Sequence, residues 1–266
     1  MKRIPWLVST NAWILAQSLV LLFDIAQTSR PHVDGRSTAI DSLRQFVSSK
    51  SIFGYTIGAS RSVLCSISKI RAIGAEMKDT SKLNEVSESI APILESLRSE
   101  ESDLDLPKSL LEHHHALRIA KDGETLPTTS VSQLEILHRR LFRNATIIYL
   151  HRIIFNSRPL ELEEYVDRAL DDTIEFLSHQ GGSVAPWPVF MAAIEAYTES
   201  AQEKVSKWLA YSCGLGIQNR FAFKQIIENV WAERESRSIS YEMEPHQITV
   251  DWKRIQDKLG IDVLLL

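Results

Sequence analysis

The stretch Leu162-Glu-Glu-Tyr-Val-Asp-Arg-Ala-Leu-Asp-Asp-Thr-Ile-Glu-Phe-Leu177 decides the fold. Leu162, Val166, Ala169, Leu170, Thr173 and Leu177 recur at helical intervals and share one face, while the carboxylates and Arg168 fall on the other. Alternation of the strand kind is absent. Gly181 and Gly182 follow as the expected stop.

The same period extends in both directions. Upstream, Leu134, Leu137, Leu141, Ile148 and Leu150 predict a long helix to about Phe155. Downstream, Pro186, Trp187 and Pro188 open another, carrying Phe190, Ile194, Tyr197, Val205 and Leu209 as far as a break at Gly214 and Gly216. A final pair is expected around Phe223–Trp231 and Trp252–Leu259, before the apolar tail Val263–Leu266.

Toward the N-terminus, Val63, Ile67, Ile70 and Met77 mark a helix with Ser60 or Ser62 as its cap, and Ile40, Leu43 and Val47 a shorter one. Leu83, Val86, Ile90, Ile93, Leu94 and Leu97 form a third stripe, which Pro92 is expected to kink or split. An acidic stretch runs from Ser99 to Asp105. Trp13–Phe23 is apolar, but Ser9, Thr10, Asn11, Gln17, Ser18 and Asp24 interrupt the surrounding segment, so a buried core helix fits better than a membrane span of about 20 apolar residues.

The expectation is an all-α, non-repetitive helical array of roughly ten helices. An N-terminal half covers 1–120, a surface linker 121–129, and a C-terminal half 130–266, read as one continuous domain. No fixed-period repeat suggests a solenoid.

Charge narrows the function. With 34 acidic and 30 basic residues the net charge is -4, which supplies no overall basic field for a phosphate backbone. Cys65 and Cys213 are the only cysteines, pointing to a reducing compartment, no disulfide framework, and no binuclear zinc cluster, which needs six thiolates.

The best enzyme-like signal is Asp171, Asp172 and Glu175, whose outer carboxylates sit a helical turn apart and suit a divalent metal. All-α prenyl-diphosphate enzymes use such a pattern with a second acidic set, and no partner set stands downstream; a solvated helix face is the preferred reading. His113, His114 and His115 point about 100° apart on a helix and cannot converge on one ion. His138 and His151 fall on nearly opposite faces, as partly buried rings or surface contacts. His138, Arg139, Arg140 and Arg143 read as an exposed basic face, and Trp187, Trp231 and Trp252 as core anchors. No nucleophile elbow, phosphate loop or dinucleotide fingerprint appears, so neither catalytic residues nor cofactors are expected.

Tyr149-Leu150-His151-Arg152, Trp187-Pro-Val-Phe-Met-Ala-Ala-Ile-Glu-Ala196, Gly214-Leu-Gly216, Ile226-Ile-Glu-Asn-Val-Trp231, Arg234-Glu235 and Asp251-Trp252 together resemble the fungal-specific transcription factor domain, the C-terminal effector region of fungal zinc binuclear-cluster transcription factors. The resemblance is most specific from Leu134 onward. It implies an all-helical, non-enzymatic transcription regulator of the nucleus acting through dimerisation, effector sensing or contact with the transcription machinery. Trp187, Pro188, Phe190, Glu195, Trp231 and Trp252 are its structural motif residues. Ala193 stands where the family is expected to prefer glycine. The zinc cluster is missing from these residues, so DNA contact is expected only through a cluster elsewhere; a stand-alone scaffold or dominant-negative partner of related regulators is the alternative.

Overall fold

The computed structural model describes residues 10–29, 42–45, 47, 58–77, 83–99, 128–179 and 184–263. Its helices are α1 (Thr10–Ser29), α2 (Arg61–Glu76), α3 (Leu83–Ser99), α4 (Thr128–Leu150), α5 (Pro159–Ser178), α6 (Pro186–Ala193), α7 (Glu199–Gly214), α8 (Gln218–Tyr241) and α9 (Trp252–Leu259). A π-turn, His151–Phe155, continues α4, and a 3-10 turn, Pro245–Gln247, precedes α9. Among the described residues there is no strand, and the array is non-repetitive, as the sequence period requires.

Helix α4 is the axis. Every residue from Leu141 to Leu150 is buried, because α2, α3, α5 and α6 all pack around it. On α5 the expected stripe turns inward: Leu162, Val166, Ala169, Leu170 and Thr173 are buried, joined by Phe176, while Leu177 lies at the margin. Helix α6 is buried at every position from Pro186 to Ala193.

Polar links tie distant segments together. Trp187 donates its indole N–H to Thr28 on α1 at 3.0 Å. Ser29 reaches the carbonyl of Val263, which is buried near the end of the described chain. Ser60 is the N-cap of α2, its hydroxyl accepting from the Val63 amide at 3.2 Å, as its position predicts.

Several expectations need correction. Pro92 does not split α3, which runs unbroken; Pro92 and Glu88, whose carbonyl it leaves without an N–H, are both exposed, where water can satisfy that carbonyl. The helix expected from Pro186 to Leu209 is two helices, because the chain leaves helical geometry after Ala193 and Thr198 caps a new start by accepting from Ala201. α1 is not wholly buried: Ala16, Val20, Leu21 and Ile25 face the core, whereas Leu15, Leu19 and Leu22 face out. The basic run on α4 is not an exposed face either. Arg143 is 7% exposed and crosses to the last turn of α3, donating to the Leu97 carbonyl at 2.6 Å, a helix-end acceptor with no helical partner.

Most of the linker, residues 121–127, lies outside the described residues, while Thr128 and Thr129 open α4. Also outside them are His113, His114 and His115, the 100–105 part of the acidic stretch, Gly181 and Gly182, and the tail from Leu264. No helix among the described residues is long and apolar enough to cross a membrane.

Candidate functional site

The break between α6 and α7 frees two groups that a continuous helix would have occupied, the carbonyls of Ile194 and Ala196, and the Glu195 side chain sits between them. Arg234, from the middle of α8, answers them. Its guanidinium donates to Ile194 O at 2.8 Å, Ala196 O at 3.1 Å and, from Nε, Ile248 O at 3.3 Å, with Glu195 Oε2 at 3.4 Å. Arg152, in the π-turn, takes the other carboxylate oxygen, its Nε lying 2.8 Å from Oε1. It also donates to Ser157 O at 2.8 Å and Val250 O at 3.1 Å.

Glu195 is therefore shared between two arginines, and all three side chains are buried or nearly so. Burial pulls the Arg234 guanidinium below its ordinary range, the Glu195 charge opposes that pull, and Arg152 adds to it. A buried charge is tolerated only when paired and hydrogen-bonded, and this cluster meets both conditions. Mechanically it clamps the π-turn, the α6–α7 break and the 248–250 segment together. The π-turn itself is closed by Asn156 in the left-handed region, φ 48°.

The motif aromatics pack among themselves and against the helices of the core. Trp187 packs against Phe142 and Tyr149, each with ring centroids 6.0 Å away. Phe190 meets Trp252 edge-on at 5.1 Å and Phe223 at 5.8 Å. Trp231, half-buried, donates to the Ala193 carbonyl at 2.9 Å, across the helix contact where the missing glycine was noted. Pro188 is buried inside the first turn of α6. Trp208 is a further anchor, 2% exposed, that the stripe Val205 and Leu209 passed over although it lies three residues from Val205.

The carboxylates of the candidate metal set are each engaged elsewhere. Lys204 lies 2.6 Å from Asp171, Arg140 holds the buried Asp172, and Gln133 donates to Glu175 at 2.8 Å. Asp172 is thus not part of a solvated face; burial raises its pKa while Arg140 lowers it. No group of three metal-capable side chains converges among the described residues.

The histidines separate as the helical angle requires. His138 accepts from the Ala185 amide at 3.1 Å, just ahead of α6, and packs on Phe142 and Phe176. Burial pushes its pKa down to about 4. Gly58 lies against the ring, where a Cβ would fall 2.2 Å from Nδ1. His151 instead pairs with the Ser157 hydroxyl at 3.1 Å.

The cluster thus has the chemistry of a structural lock. Arg152 and Arg234 had appeared in the sequence only inside longer motif strings; the available signal for the lock was Glu195, a lone acid in the apolar run 186–196.

A family model described as the fungal specific transcription factor domain matches residues 4–266. No curated protein and no solved structure matches the chain.

Proposed function

We infer the function from one premise: the chain belongs to the fungal-specific transcription factor domain family, whose model spans nearly its whole length. That family points to transcription regulation and is not an enzyme family. Our finer proposal is an effector module that works in the nucleus through protein contacts, with the transcription machinery, related regulators or a second copy as partners. DNA contact falls to a zinc cluster outside these residues, since two cysteines cannot build one.

The observation that carries the reading is the extent of the match. The clamp is consistent with it, since Glu195 and its two arginines do structural work and leave no free group for chemistry at that place. Fusing the chain to an unrelated DNA-binding domain and placing its sites ahead of a reporter gene tests it. A change in reporter transcription, up or down, relative to the DNA-binding domain alone is expected. No change at equal protein level would sink the reading. The rival magnesium reading needs free carboxylates, and Asp171, Asp172 and Glu175 are engaged by protein donors.

A further inference from the structure

The corner joining α7 to α8 carries a buried cation with two unpartnered nitrogens. Arg220, in the first turn of α8, is 5% exposed, and its Nε and Nη1 are buried without a hydrogen-bond partner. The Phe223 ring stands against the guanidinium, its centroid 5.3 Å from Cζ, and Cys213 is close enough to act on its charge. Among the described residues, the other buried arginines, Arg143 and Arg234, and the largely buried Arg152 all satisfy carbonyls or a carboxylate. Burial draws the Arg220 guanidinium below its ordinary range, so the folded chain holds this charge at a loss.

Around it the surface is apolar and open. Tyr211, Leu215, Ile217 and Phe221 are 42%, 44%, 44% and 52% exposed. A Cβ built on Gly214 meets nothing, so no neighbour in this chain requires glycine in the last turn of α7, where it weakens the helix. The chain at the corner is basic: from Lys204 to Ile227 there is no Asp or Glu, while Lys204, Lys207, Arg220 and Lys224 are present in a chain of net charge -4, and Lys224 pairs with Glu228 one turn on. Lys204 is taken by Asp171. Helix α8 also begins at Ile217 without a side-chain cap, leaving the positive end of its dipole at the same place.

We propose that the α7–α8 corner docks a short protein segment in which a carboxylate is flanked by aliphatic or aromatic side chains, the carboxylate going to Arg220 and the α8 N-terminus and its neighbours to Leu215, Ile217 and Phe221. The proposal rests on the reading that this chain acts through protein contacts, and it specifies the partner's chemistry. Arg220 breaks no hydrogen bond when its long side chain swings outward, so pairing outside costs little inside. A small anion would leave the exposed apolar side chains unused. A nucleic acid would leave them against phosphate.

The probe is a fluorescein-labelled synthetic peptide alternating Asp with Leu and Phe, titrated with the full chain and followed by anisotropy. Saturable binding is expected, and Arg220→Met weakens it about tenfold or more, as loss of one partner of a charged contact does. Phe221→Ser, at an exposed position, weakens it as well. Arg220→Met melts at the same or a higher temperature, which separates lost docking from lost folding. Absence of binding, equal binding by Arg220→Met, or equal binding of a peptide with Asn for Asp overturns the proposal. So does succinate binding that displaces the peptide as effectively as unlabelled peptide does. Run beside the reporter assay, the two readings separate: an active reporter with no peptide binding removes the corner alone, whereas binding with a silent reporter keeps the corner and removes the regulatory role.

Discussion

Glu195 shows how much one side chain can decide. It is 1% exposed and faces two guanidiniums, so Glu195→Ala leaves Arg152 and Arg234 buried near each other without their anion. Removing one partner of a buried pair costs roughly 3–5 kcal/mol, a large share of the 5–15 kcal/mol that holds a typical domain together. Urea denaturation of Glu195→Ala is expected to show a midpoint far below that of the unaltered chain; an unchanged midpoint would mean the clamp is idle. His138 makes the complementary point through protonation. Its folded pKa, about 4, lies below the ordinary 6.5, so the unfolded chain binds the proton first. Stability from the neutral ring is full above about pH 6.5 and is lost as pH falls toward 4, by on the order of 3 kcal/mol in all. His151, also lowered by burial, titrates in the same direction, so the contribution of His138 is read as the part of the slope that His138→Gln removes. An identical slope in that variant would refute the assignment.

Among elements, α2 and the π-turn meet in close contact. A Cβ on Gly74 would lie 2.3 Å from Ile153 Cγ2, and Gly74 has ordinary helical geometry, so glycine serves close approach here and not backbone freedom. Gly74→Ala is expected to cost about 1–3 kcal/mol by overpacking, and a second change, Ile153→Ala, to recover part of that in a double-mutant cycle. Strictly additive losses in chemical denaturation would show that the two residues do not meet. The type of the long helices was legible, because apolar period is a property of the chain itself, while the π-turn and the 3-10 turn were not. Element ends were less legible. Ser60 was one of two caps that position offered, but the break after Ala193 gave no sign: 186–196 is apolar almost without pause, and Arg234, 38 residues from Ala196, supplies donors to carbonyls the helix gives up. Pro92 misled in the opposite sense, since its cost falls on an exposed face.

For the whole molecule, the links Trp187–Thr28, Arg143–Leu97 and Ser29–Val263 join α1 and α3 to segments far along the chain. One cooperative transition is therefore expected: tryptophan fluorescence and far-UV circular dichroism should give coincident urea curves, and Thr28→Val, which deprives the Trp187 indole of its acceptor, should shift both together. Separate midpoints would show two folding units. What the sequence determined by itself was the all-α class, most of the helices and the inward face of those with a clear stripe, and, by its motif strings, the family. These depend on local period and residue identity, which survive without coordinates. Tertiary structure alone decided which charges are buried and with whom. Arg152, Glu195 and Arg234 lie far apart along the chain and meet only when the π-turn, the α6–α7 break and α8 pack together; Asp172 looked solvated until Arg140 covered it; and the burial of Arg220, with two of its nitrogens unpartnered, had no signal in the sequence. Pairing across the chain is set by which helices touch, and no local pattern encodes it.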